Sequence, residues 1–387
     1  MQRWTVHLEG GPKRVNHAAV AIGDKIFSFG GYCTGEDYKT TRPMDVYVLD
    51  TISLRWRVLP IVPASHPDYP CIPYQRYSHT AVAVGDCAYI WGGRNGKDGA
   101  CETLYQFDST TNRWSRPVVY GNIPGARDGH SACVINNKMY IYGGFEVEVD
   151  RFFNDVHAFD FNTMTWMEVK TLGRPACWRD FHTATAVGST MFVFGGRSDE
   201  GGDLFTNNEI YCNKMQTFNT LTNTWHEPVT HGDKPPGRRS HSSFMYCGML
   251  YVFGGYNGLY DCHYNDVHKF DPEQMRWSCV KVWGQGPCPR RRQCCCMIGE
   301  KVYLFGGTSP KSPEAGTRRN QLPLLESDLI DHSDLHILDF APSLKTLCEI
   351  FVLNLKLDTS CLPVDIRWEL AAMTTNNTIS RSCNTNG

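Results

Sequence analysis

Six pairs of adjacent glycines recur along the chain, each at the end of a short run rich in Tyr, Phe, Val and Ile. Thirteen residues before each pair stands a histidine in five cases and Gln293 in the sixth, and an arginine always lies three residues before that position. The glycine pairs are Gly30-Gly31, Gly92-Gly93, Gly143-Gly144, Gly195-Gly196, Gly254-Gly255 and Gly306-Gly307, the histidines are His17, His79, His130, His182 and His241, and the arginines are Arg14, Arg76, Arg127, Arg179, Arg238 and Arg290. Self-similarity with a period of roughly 50 residues indicates a repeat architecture.

Each repeat carries the signals of four short strands. Two apolar runs precede every glycine pair, separated by a turn such as IGDK in the first unit and INNK in the third. Gly and Asn supply the positive φ that a tight hairpin turn requires. A third run follows, as in VYVLD, which ends at Asp50, and Trp56 comes six residues later at a position where four other units also have tryptophan. Four strands in about 50 residues are typical of one blade of a β-propeller.

The sixth unit lacks this tryptophan. Its third strand is followed by Lys345 at the expected position. Trp4, however, lies ten residues before Arg14, close to the thirteen-residue gap between tryptophan and arginine in four other units. We therefore predict that the N-terminal strand supplies the outer strand of the last blade and closes the ring.

Composition restricts the classes of partner. A formal net charge of -2 over 387 residues makes nonspecific binding to nucleic acid or to an anionic membrane unlikely. The N-terminal sequence has no apolar signal region, and no stretch approaches the roughly 18 apolar residues of a membrane span. The 17 cysteines include no Cys-x-x-Cys pair, so reduced thiols are expected rather than a metal site or disulfides. These features predict a cytoplasmic protein, with a nuclear location left open.

Arg-x-x-His, Gly-Gly and a later Trp together closely resemble the kelch repeat, and the six copies cover residues 1–340. The resemblance implies an all-β fold, a six-bladed kelch β-propeller closed by the N-terminal strand. The repeated histidines fall at the same phase of five different blades and cannot converge on one ion. We therefore predict a structural, hydrogen-bonding role for them, with no metal site and no cofactor. Lipase, zinc-protease and phosphate-loop motifs are missing from the sequence, so a non-catalytic protein is expected.

Residues just before the repeated histidine and just after Gly-Gly should share one rim of the propeller, because both lie at the same end of a hairpin. The charged and polar members of this rim include Arg197, Arg239, Ser240, Arg291, Arg292, Asp128 and Asp180, and aromatic members include Phe145, Phe181 and Tyr256. Guanidinium binds a carboxylate through bidentate hydrogen bonds, so this combination suits the carboxylate of a peptide. The alternative is that these residues are ordinary solvated rim charges.

The segment SLKTLCEIFV, residues 343–352, follows the last blade and has helical spacing: Leu344, Cys348 and Val352 fall at i, i+4 and i+8, and Leu347 broadens the stripe. It resembles a BC box, the helix that binds Elongin C. A second segment resembles the cullin-2 box through Leu362, Pro363, Ile366 and Leu370. We predict box helices over residues 341–370 and a flexible tail over residues 371–387. The alternative is a helix packed against the underside of its own propeller.

The order of propeller, BC box and cullin-2 box resembles the kelch-repeat substrate receptors of cullin-2 RING ubiquitin ligases. The resemblance implies an adaptor that binds substrate proteins ending in glycine and recruits Elongin B/C, cullin-2 and the RING subunit. On this sequence it assigns the terminal carboxylate to Arg197, Arg239 and Ser240, and the nearby Asp128 and Asp180 predict Arg or Lys upstream of the glycine. A kelch scaffold for actin or chromatin and a metal-dependent kelch enzyme remain as alternatives. The chain itself ends in a glycine, Gly387, so docking in its own or a neighbour's pocket is a further alternative.

Overall fold

The computed structural model describes residues 1–36, 40–311 and 328–379. Within these residues six antiparallel sheets of four or five strands follow one another along the chain. The innermost strands of successive sheets contact each other in a closed circle. The six-bladed β-propeller predicted from the repeats is therefore confirmed.

The strands are given blade by blade, from the innermost strand outward. Blade one has Ala18–Ile22, Lys25–Phe29, Val46–Asp50 and Arg55–Val58, and blade two has Tyr77–Val84, Cys87–Asn95, Tyr105–Asp108 and Arg113–Ser115. Blade three has Ser131–Ile135, Lys138–Tyr142, Val156–Asp160 and Thr165–Glu168, and blade four has Thr183–Val187, Thr190–Phe194, Gln216–Asn219 and Thr224–His226. Blade five has Ser242–Tyr246, Met249–Phe253, Val267–Asp271 and Arg276–Cys279, and blade six has Cys294–Ile298, Lys301–Phe305, Leu335–Asp339 and Arg3–Leu8.

Shorter elements decorate the blades. Tyr120–Gly121 and His231–Gly232 each add a parallel strand outside blades three and five. In blades three to six a small two-stranded hairpin directly follows Gly-Gly. These hairpins pair Phe145–Glu146 with Arg151–Phe152, Arg197–Asp199 with Glu209–Tyr211, Tyr256–Asn257 with Cys262–His263, and Thr308–Pro310 with Leu329–Asp331. In blade two, Gly99–Ala100 pairs with the end of the long second strand. Two 3-10 turns span Tyr69–Cys71 and Val147–Val149.

The hydrophobic core lies between the blades. Six clusters of buried apolar residues each combine side chains from two adjacent blades, and the sixth combines blade six with blade one. The repeated tryptophans are central to these clusters: Trp166 and Trp277 are only 1% exposed. The middle strands of a blade, such as Lys25–Phe29 and Val46–Asp50, are buried almost without interruption, so both faces of the sheet are covered. Every blade therefore needs a neighbour on both sides, which a closed ring provides.

The ring is closed by the N-terminal strand, as the displaced tryptophan predicted. Arg3–Leu8 pairs antiparallel with Leu335–Asp339 in blade six. The Trp4 ring enters the core between blades five and six, where it meets Phe253 edge-on at 6.0 Å between ring centroids. The two ends of the propeller thus share one sheet.

Replacing Trp4 by alanine is expected to lower the free energy of unfolding by about 3–5 kcal/mol, since a large buried ring is lost and a cavity is left. Deleting residues 1–8 should cost more, because blade six then loses a whole strand. Urea unfolding followed by tryptophan fluorescence measures both. Trp283→Ala is the matched control, because that side chain is 44% exposed and its loss should change little. An unchanged melting temperature of the deletion variant would refute closure by this strand.

The repeated histidine, arginine and glycine pack together at each junction between blades. A Cβ built on Gly92 would lie 2.3 Å from Cε1 of His130 in the next blade, so glycine alone fits there. Arg127 donates from Nη1 to the carbonyl oxygen of Gly143 in its own blade at 3.2 Å. His130, His182 and His241 make Nε2 hydrogen bonds to hydroxyl groups of the preceding blade at 2.7–2.9 Å. The structural role predicted for the histidines is confirmed for these three.

Burial of the repeated histidines should make the propeller sensitive to acid. Burial, with the nearby repeated arginine as the smaller cause, lowers the pKa of His17 and His241 to about 3. The unfolded chain takes up these protons near pH 6.5 and the folded chain does not, so stability is present above pH 6.5 and is lost as the pH falls from 6.5 towards 3. Each histidine can contribute up to about 1.4 kcal/mol per pH unit in that window.

This is tested by urea unfolding of the wild type and of His241→Gln between pH 7 and pH 4.5. Glutamine is the natural residue at the equivalent position of blade six, where Gln293 donates to the Ser242 hydroxyl and the Phe253 carbonyl. The variant should fold and should lose less stability than the wild type as the pH is lowered. Parallel pH profiles for the two proteins would contradict the argument.

Two helices follow the propeller. Helix α1 spans Leu344–Asn354 and is capped by the Ser343 hydroxyl, which accepts from the Thr346 N–H at 3.0 Å; helix α2 spans Val364–Thr374. The third strand of blade six, Leu335–Asp339, ends opposite Lys301. This end of the blade is remote from Gly306-Gly307, which follow the other end of the strand Lys301–Phe305. The helices thus leave the propeller at the end opposite to the rim. Among the described residues no helix has the length and apolar character needed to cross a membrane.

The boundary predicted at residue 370 differs from the structure. Helix α2 continues through Thr374, and the chain beyond it is held against the propeller. The Asn377 side chain is buried and bonds the backbone of Trp56 at 2.9 Å and of Leu54 at 3.3 Å. These contacts order residues that the polar Ser/Thr/Asn composition had predicted to be flexible. The C-terminal glycine and most of the insertion after Pro310 lie outside the described residues.

Candidate functional site

The floor of the rim is a closed ring of backbone hydrogen bonds. The residue just before each repeated His or Gln has a positive φ of 50–66°. Its N–H donates to the carbonyl oxygen of the equivalent residue in the preceding blade, and the circle closes where Asn16 donates to Arg292 at 3.3 Å. The six residues are Asn16, Ser78, Gly129, Phe181, Ser240 and Arg292. A positive φ is strained for every one of these residues except Gly129. The ring of hydrogen bonds holds this backbone conformation and so fixes the direction of the other five side chains.

The rim lies where hairpin geometry predicted it. The residue two before each repeated His or Gln forms an antiparallel bridge with the residue after Gly-Gly, as in Asp128 with Phe145, Asp180 with Arg197 and Arg239 with Tyr256. Above the ring these residues enclose a pocket of about 340 Å³. It is lined by Asn16, Tyr32, Tyr77, Ser78, Arg94, Asp128, Phe181, Arg197, Arg239 and Arg292. Four arginines facing one small pocket give it a strongly positive character.

Arg197 and Asp180 do not act as the two independent contacts that the sequence suggested. They pair with each other: Arg197 donates from Nε and Nη2 to the two carboxylate oxygens of Asp180 at 3.1 and 2.5 Å. Glu209 adds a second carboxylate at 3.3 Å from Nη1. Asp180 is 0% exposed. The guanidinium of Arg197 is thus ion-paired within the chain, because the two residues are cross-strand partners, and it still lines the rim pocket.

Asp128 is buried beside Arg94, with 3.5 Å between its Oδ2 and Nε of the arginine. Burial raises the pKa of Asp128 to about 7, against the opposing effect of Arg94. Its charge therefore changes near neutral pH. The predicted attraction for an upstream Arg or Lys would have to come from this one carboxylate, and it would be stronger at pH 8 than at pH 6.

Arg239, Arg291 and Arg292 form a second group of arginines at the rim. Burial and the proximity of Arg292 and Arg239 lower the pKa of Arg291 to about 10. Arg291 lies over the Tyr256 ring at 4.1 Å, and Arg292 donates to the Tyr32 hydroxyl. The carboxylate of Glu209 reaches Arg239 only at 4.0 Å. Three guanidinium groups that repel one another are an arrangement that a bound anion would relieve.

The aromatic residues divide into two groups. Phe181, which lines the pocket, is a true wall of the site. Phe145 and Tyr256 are buried and support arginines: the Arg197 guanidinium lies 5.7 Å from the Phe145 ring centroid and 5.1 Å from that of Phe205. Both rings are placed to hold arginines in position, and a contact of either ring with a ligand stays a prediction.

The main residue of the site that sequence reasoning missed is Glu209. Its position after Gly-Gly does not follow the spacing of the repeat, because an irregular loop separates Arg197–Asp199 from Glu209–Tyr211 in the hairpin that carries it. Tyr211 donates its hydroxyl to Glu209 at 2.5 Å and so orients the carboxylate between two arginines. No spacing in the sequence could have indicated this contact.

Helix α1 presents an inverted pattern of burial. Its buried residue is Glu349, whereas Leu344 is 78% exposed, Phe351 60% and Leu347 40%. Cys348 is also exposed and Val352 is half-buried. A helix packed only against its own propeller would turn the apolar stripe inward. The stripe predicted to bind a partner therefore faces outward in this chain.

The residues assigned to the cullin-2 box are less uniform. Pro363 is exposed, Leu362 and Ile366 are half-buried, and Leu370 is only 5% exposed. Leu370 packs within this chain and is not available as a surface contact. The exposed apolar side chains of helix α2 are instead Val364 and Trp368, at 72% and 49% exposure.

The repeats match two family models. Residues 78–307 match the KLHDC2/KLHL20/DRC7 Kelch-repeats domain, and residues 13–63 match the Kelch motif. The chain belongs to the kelch-repeat family. Proteins of this family are typically interaction modules, and both matching models describe kelch repeats rather than a catalytic domain.

Full-length relatives include Kelch domain-containing protein 3. The protein from Bos taurus is 57% identical over 382 residues and that from Homo sapiens is 56% identical over 382 residues, in both cases covering 98% of each chain. Host cell factor 2 from Homo sapiens is 31% identical over 258 residues, which cover 63% of this chain and 32% of that protein. The similarity to Kelch domain-containing protein 3 thus extends beyond the kelch propeller into the C-terminal helices.

The solved structure of YjhT has the same general fold. It superimposes with a TM-score of 0.58 at 15% sequence identity, covering 77% of this chain and 92% of that one. At this identity the likeness concerns the fold alone.

Proposed function

We propose that this kelch propeller is the substrate-recognition subunit of a cullin-2 RING ubiquitin ligase. In this proposal the rim pocket binds the C-terminal glycine of a substrate protein, and the C-terminal helices recruit Elongin B/C, cullin-2 and the RING subunit. The observation that carries the proposal is the inverted helix α1, with Glu349 inward and Leu344, Leu347 and Phe351 outward, on a segment that resembles a BC box. An exposed apolar stripe of this kind needs an apolar groove in a partner.

The rim pocket supports the peptide-binding half of the proposal. Its positive charge suits a terminal carboxylate, and its volume of about 340 Å³ admits only a few residues of chain. We assign the carboxylate to Arg239 and Arg292, with Ser240 on the floor, because Arg197 already forms a bidentate pair with Asp180, whereas the carboxylate nearest to Arg239, that of Glu209, lies 4.0 Å away. A terminal glycine would be preferred because a Cβ would meet the rigid ring of the floor.

The two ends of the molecule suit an adaptor. The rim lies at the end of the strands that carries Gly-Gly, and helix α1 begins at the other end. A substrate held in the pocket would therefore leave the helices free for the ligase.

Fluorescence anisotropy with labelled peptides tests the pocket. A peptide ending in a free glycine should bind, whereas the same peptide with an amidated C-terminus, or with alanine in place of the glycine, should bind at least about tenfold more weakly. Equal binding of the free acid and the amide would refute recognition of a carboxylate. Binding by neither the glycine peptide nor its relatives, together with no Elongin capture, would favour the alternative of a kelch scaffold.

A further inference from the structure

The repeated arginine of blade four lacks the partner that it has in most other blades. In blades one, three, five and six it forms an ion pair with an aspartate just before the third strand: Asp45, Asp155, Asp266 and Asp334. In blade four that position is Lys214. Arg179 is nevertheless 0% exposed, and no carboxylate within the described part of the chain forms an ion pair with it. A buried guanidinium without an anion is costly. In blade two the equally buried Arg76 is held by backbone carbonyl oxygens and by the Tyr74 ring at 4.0 Å. In blade four a different group lies beside the arginine.

That group is the side chain of Cys177, whose thiol can carry a negative charge. Nη2 of Arg179 lies 2.9 Å from Sγ of Cys177, and Nη1 donates to the Gly195 carbonyl at 2.8 Å. The Ser198 hydroxyl lies 3.8 Å from the same sulfur. An ionised Cys177 satisfies Arg179 in the way that aspartate does in the other blades.

A second thiol lies next to the first. Cys212 follows the short strand Glu209–Tyr211, and its side chain lines the same outer cavity as Cys177. The proximity of the two thiols, with Arg179 and Ser198 as further causes, lowers the pKa of Cys177 to about 5 and raises the pKa of Cys212. Cys177 is therefore the sulfur that ionises more readily.

The pair is accessible to small molecules. Both cysteines line an outer cavity of about 640 Å³, whose wall also includes Trp178, Ser198 and Ile210. Cys177 is an exposed residue and Cys212 is half-buried. This cavity is separate from the rim pocket and shares none of its lining residues.

We propose that Cys177 and Cys212 form a redox modification site, at which a hydroperoxide converts the two thiols into a disulfide. The Cys177 thiolate attacks one peroxide oxygen, the O–O bond breaks, and the leaving hydroxide takes a proton to become water. Cys177 is then a sulfenic acid. The Cys212 sulfur attacks the Cys177 sulfur and loses its proton, the S–O bond breaks, and a second water leaves. The pair is oxidised by two electrons, hydrogen peroxide is reduced to two waters, and a dithiol reverses the change.

Blade six provides an internal comparison. Cys288 stands two residues before Arg290, as Cys177 does before Arg179, but Arg290 is paired with Asp334 at 2.6 Å. Nη2 of Arg290 lies 3.4 Å from the Cys288 sulfur, farther than the 2.9 Å in blade four. Cys288 is an exposed residue, so exposure does not distinguish the two thiols. Any difference in reactivity between Cys177 and Cys288 should follow from Asp334, which pairs with Arg290, whereas Arg179 has no such carboxylate among the described residues.

The experiment treats the full-length protein with hydrogen peroxide, blocks remaining thiols with N-ethylmaleimide and maps the peptides by mass spectrometry. We expect a Cys177–Cys212 linked peptide that dithiothreitol releases, and in Cys212→Ser a sulfenic acid at Cys177 that dimedone traps. At pH 6 Cys177 should be alkylated at least about tenfold faster than Cys288. Equal alkylation rates, or peroxide oxidation without the linked peptide, would overturn the proposal.

Lys214 offers a variant that leaves both cysteines in place, and its backbone N–H, which donates to the Cys212 sulfur at 3.4 Å, is kept in any substitution except proline. Lys214→Asp restores the aspartate of the other blades, so Arg179 should turn to it and alkylation of Cys177 at pH 6 should slow by about tenfold or more. Lys214→Ala is the matched control, since it also removes the surface ion pair with Glu227 but adds no carboxylate, and it should leave the fast reaction intact. The same rate in both variants would show that the arginine does not activate the thiol.

Discussion

Replacing Arg239 by alanine is expected to weaken binding of a peptide that ends in glycine by about 30-fold or more. The change removes one guanidinium from a group of three in which burial and, secondarily, mutual repulsion lower the pKa of Arg291, and a bound carboxylate would lose a charged hydrogen-bond partner. Loss of such a partner typically costs about 2–5 kcal/mol, and 2 kcal/mol corresponds to roughly 30-fold in Kd. Arg292→Ala should have an effect of similar size.

Anisotropy titration with the glycine peptide measures this loss, and the melting temperature shows whether the variant is folded. Arg57→Ala is a suitable control, because it removes an exposed arginine from the outer strand of blade one. Unchanged affinity in folded Arg239→Ala would exclude the carboxylate assignment.

Arg197→Ala is a less informative variant, although the sequence alone favoured this residue. Its removal would leave Asp180 buried and unpaired, which costs stability by itself. It would also free the charge of Glu209 to repel a carboxylate. Weakened binding in Arg197→Ala would therefore follow whether or not this arginine contacts the ligand, so Arg239 and Arg292 decide the question.

The rim could be predicted from the sequence because it depends on fixed spacing. Positions beside the repeated histidine and Gly-Gly are tied together by the backbone of one hairpin, so Asp180 and Arg197 had to lie at the same end of blade four. The spacing could not predict which of these charged side chains form ion pairs with one another. Cross-strand pairing of these two residues, and the arrival of Glu209 from an irregular loop, neutralise the arginine that seemed best placed.

The two thiols of blade four escaped sequence reasoning for a similar reason. Cys177 and Cys212 are 35 positions apart and form no recognised cysteine motif, so only the fold brings them together. A signal was nevertheless present: Lys214 stands where four other blades have aspartate. In blade four this departure from the repeat coincides with a cysteine sulfur 2.9 Å from the buried arginine.

Changing Leu344 to arginine is expected to abolish capture of Elongin B/C while leaving peptide binding intact. Leu344 is 78% exposed at the start of helix α1, so a charged residue there is solvated in the free chain and should not disturb folding. In the complex the same charge would be buried in an apolar groove without a partner, a cost of several kcal/mol that would remove detectable binding.

Co-purification of Elongin B/C with the wild type, with Leu344→Arg and with Leu221→Arg measures the effect. Leu221 is 72% exposed on blade four, so its variant adds the same charge to the propeller surface and should retain Elongin. Peptide affinity should be equal in all three, because the rim lies at the opposite end of the strands from helix α1. Equal Elongin capture by Leu344→Arg would show that the outward stripe serves another partner. Loss of peptide binding in the same variant would mean that the two ends of the propeller are coupled rather than independent.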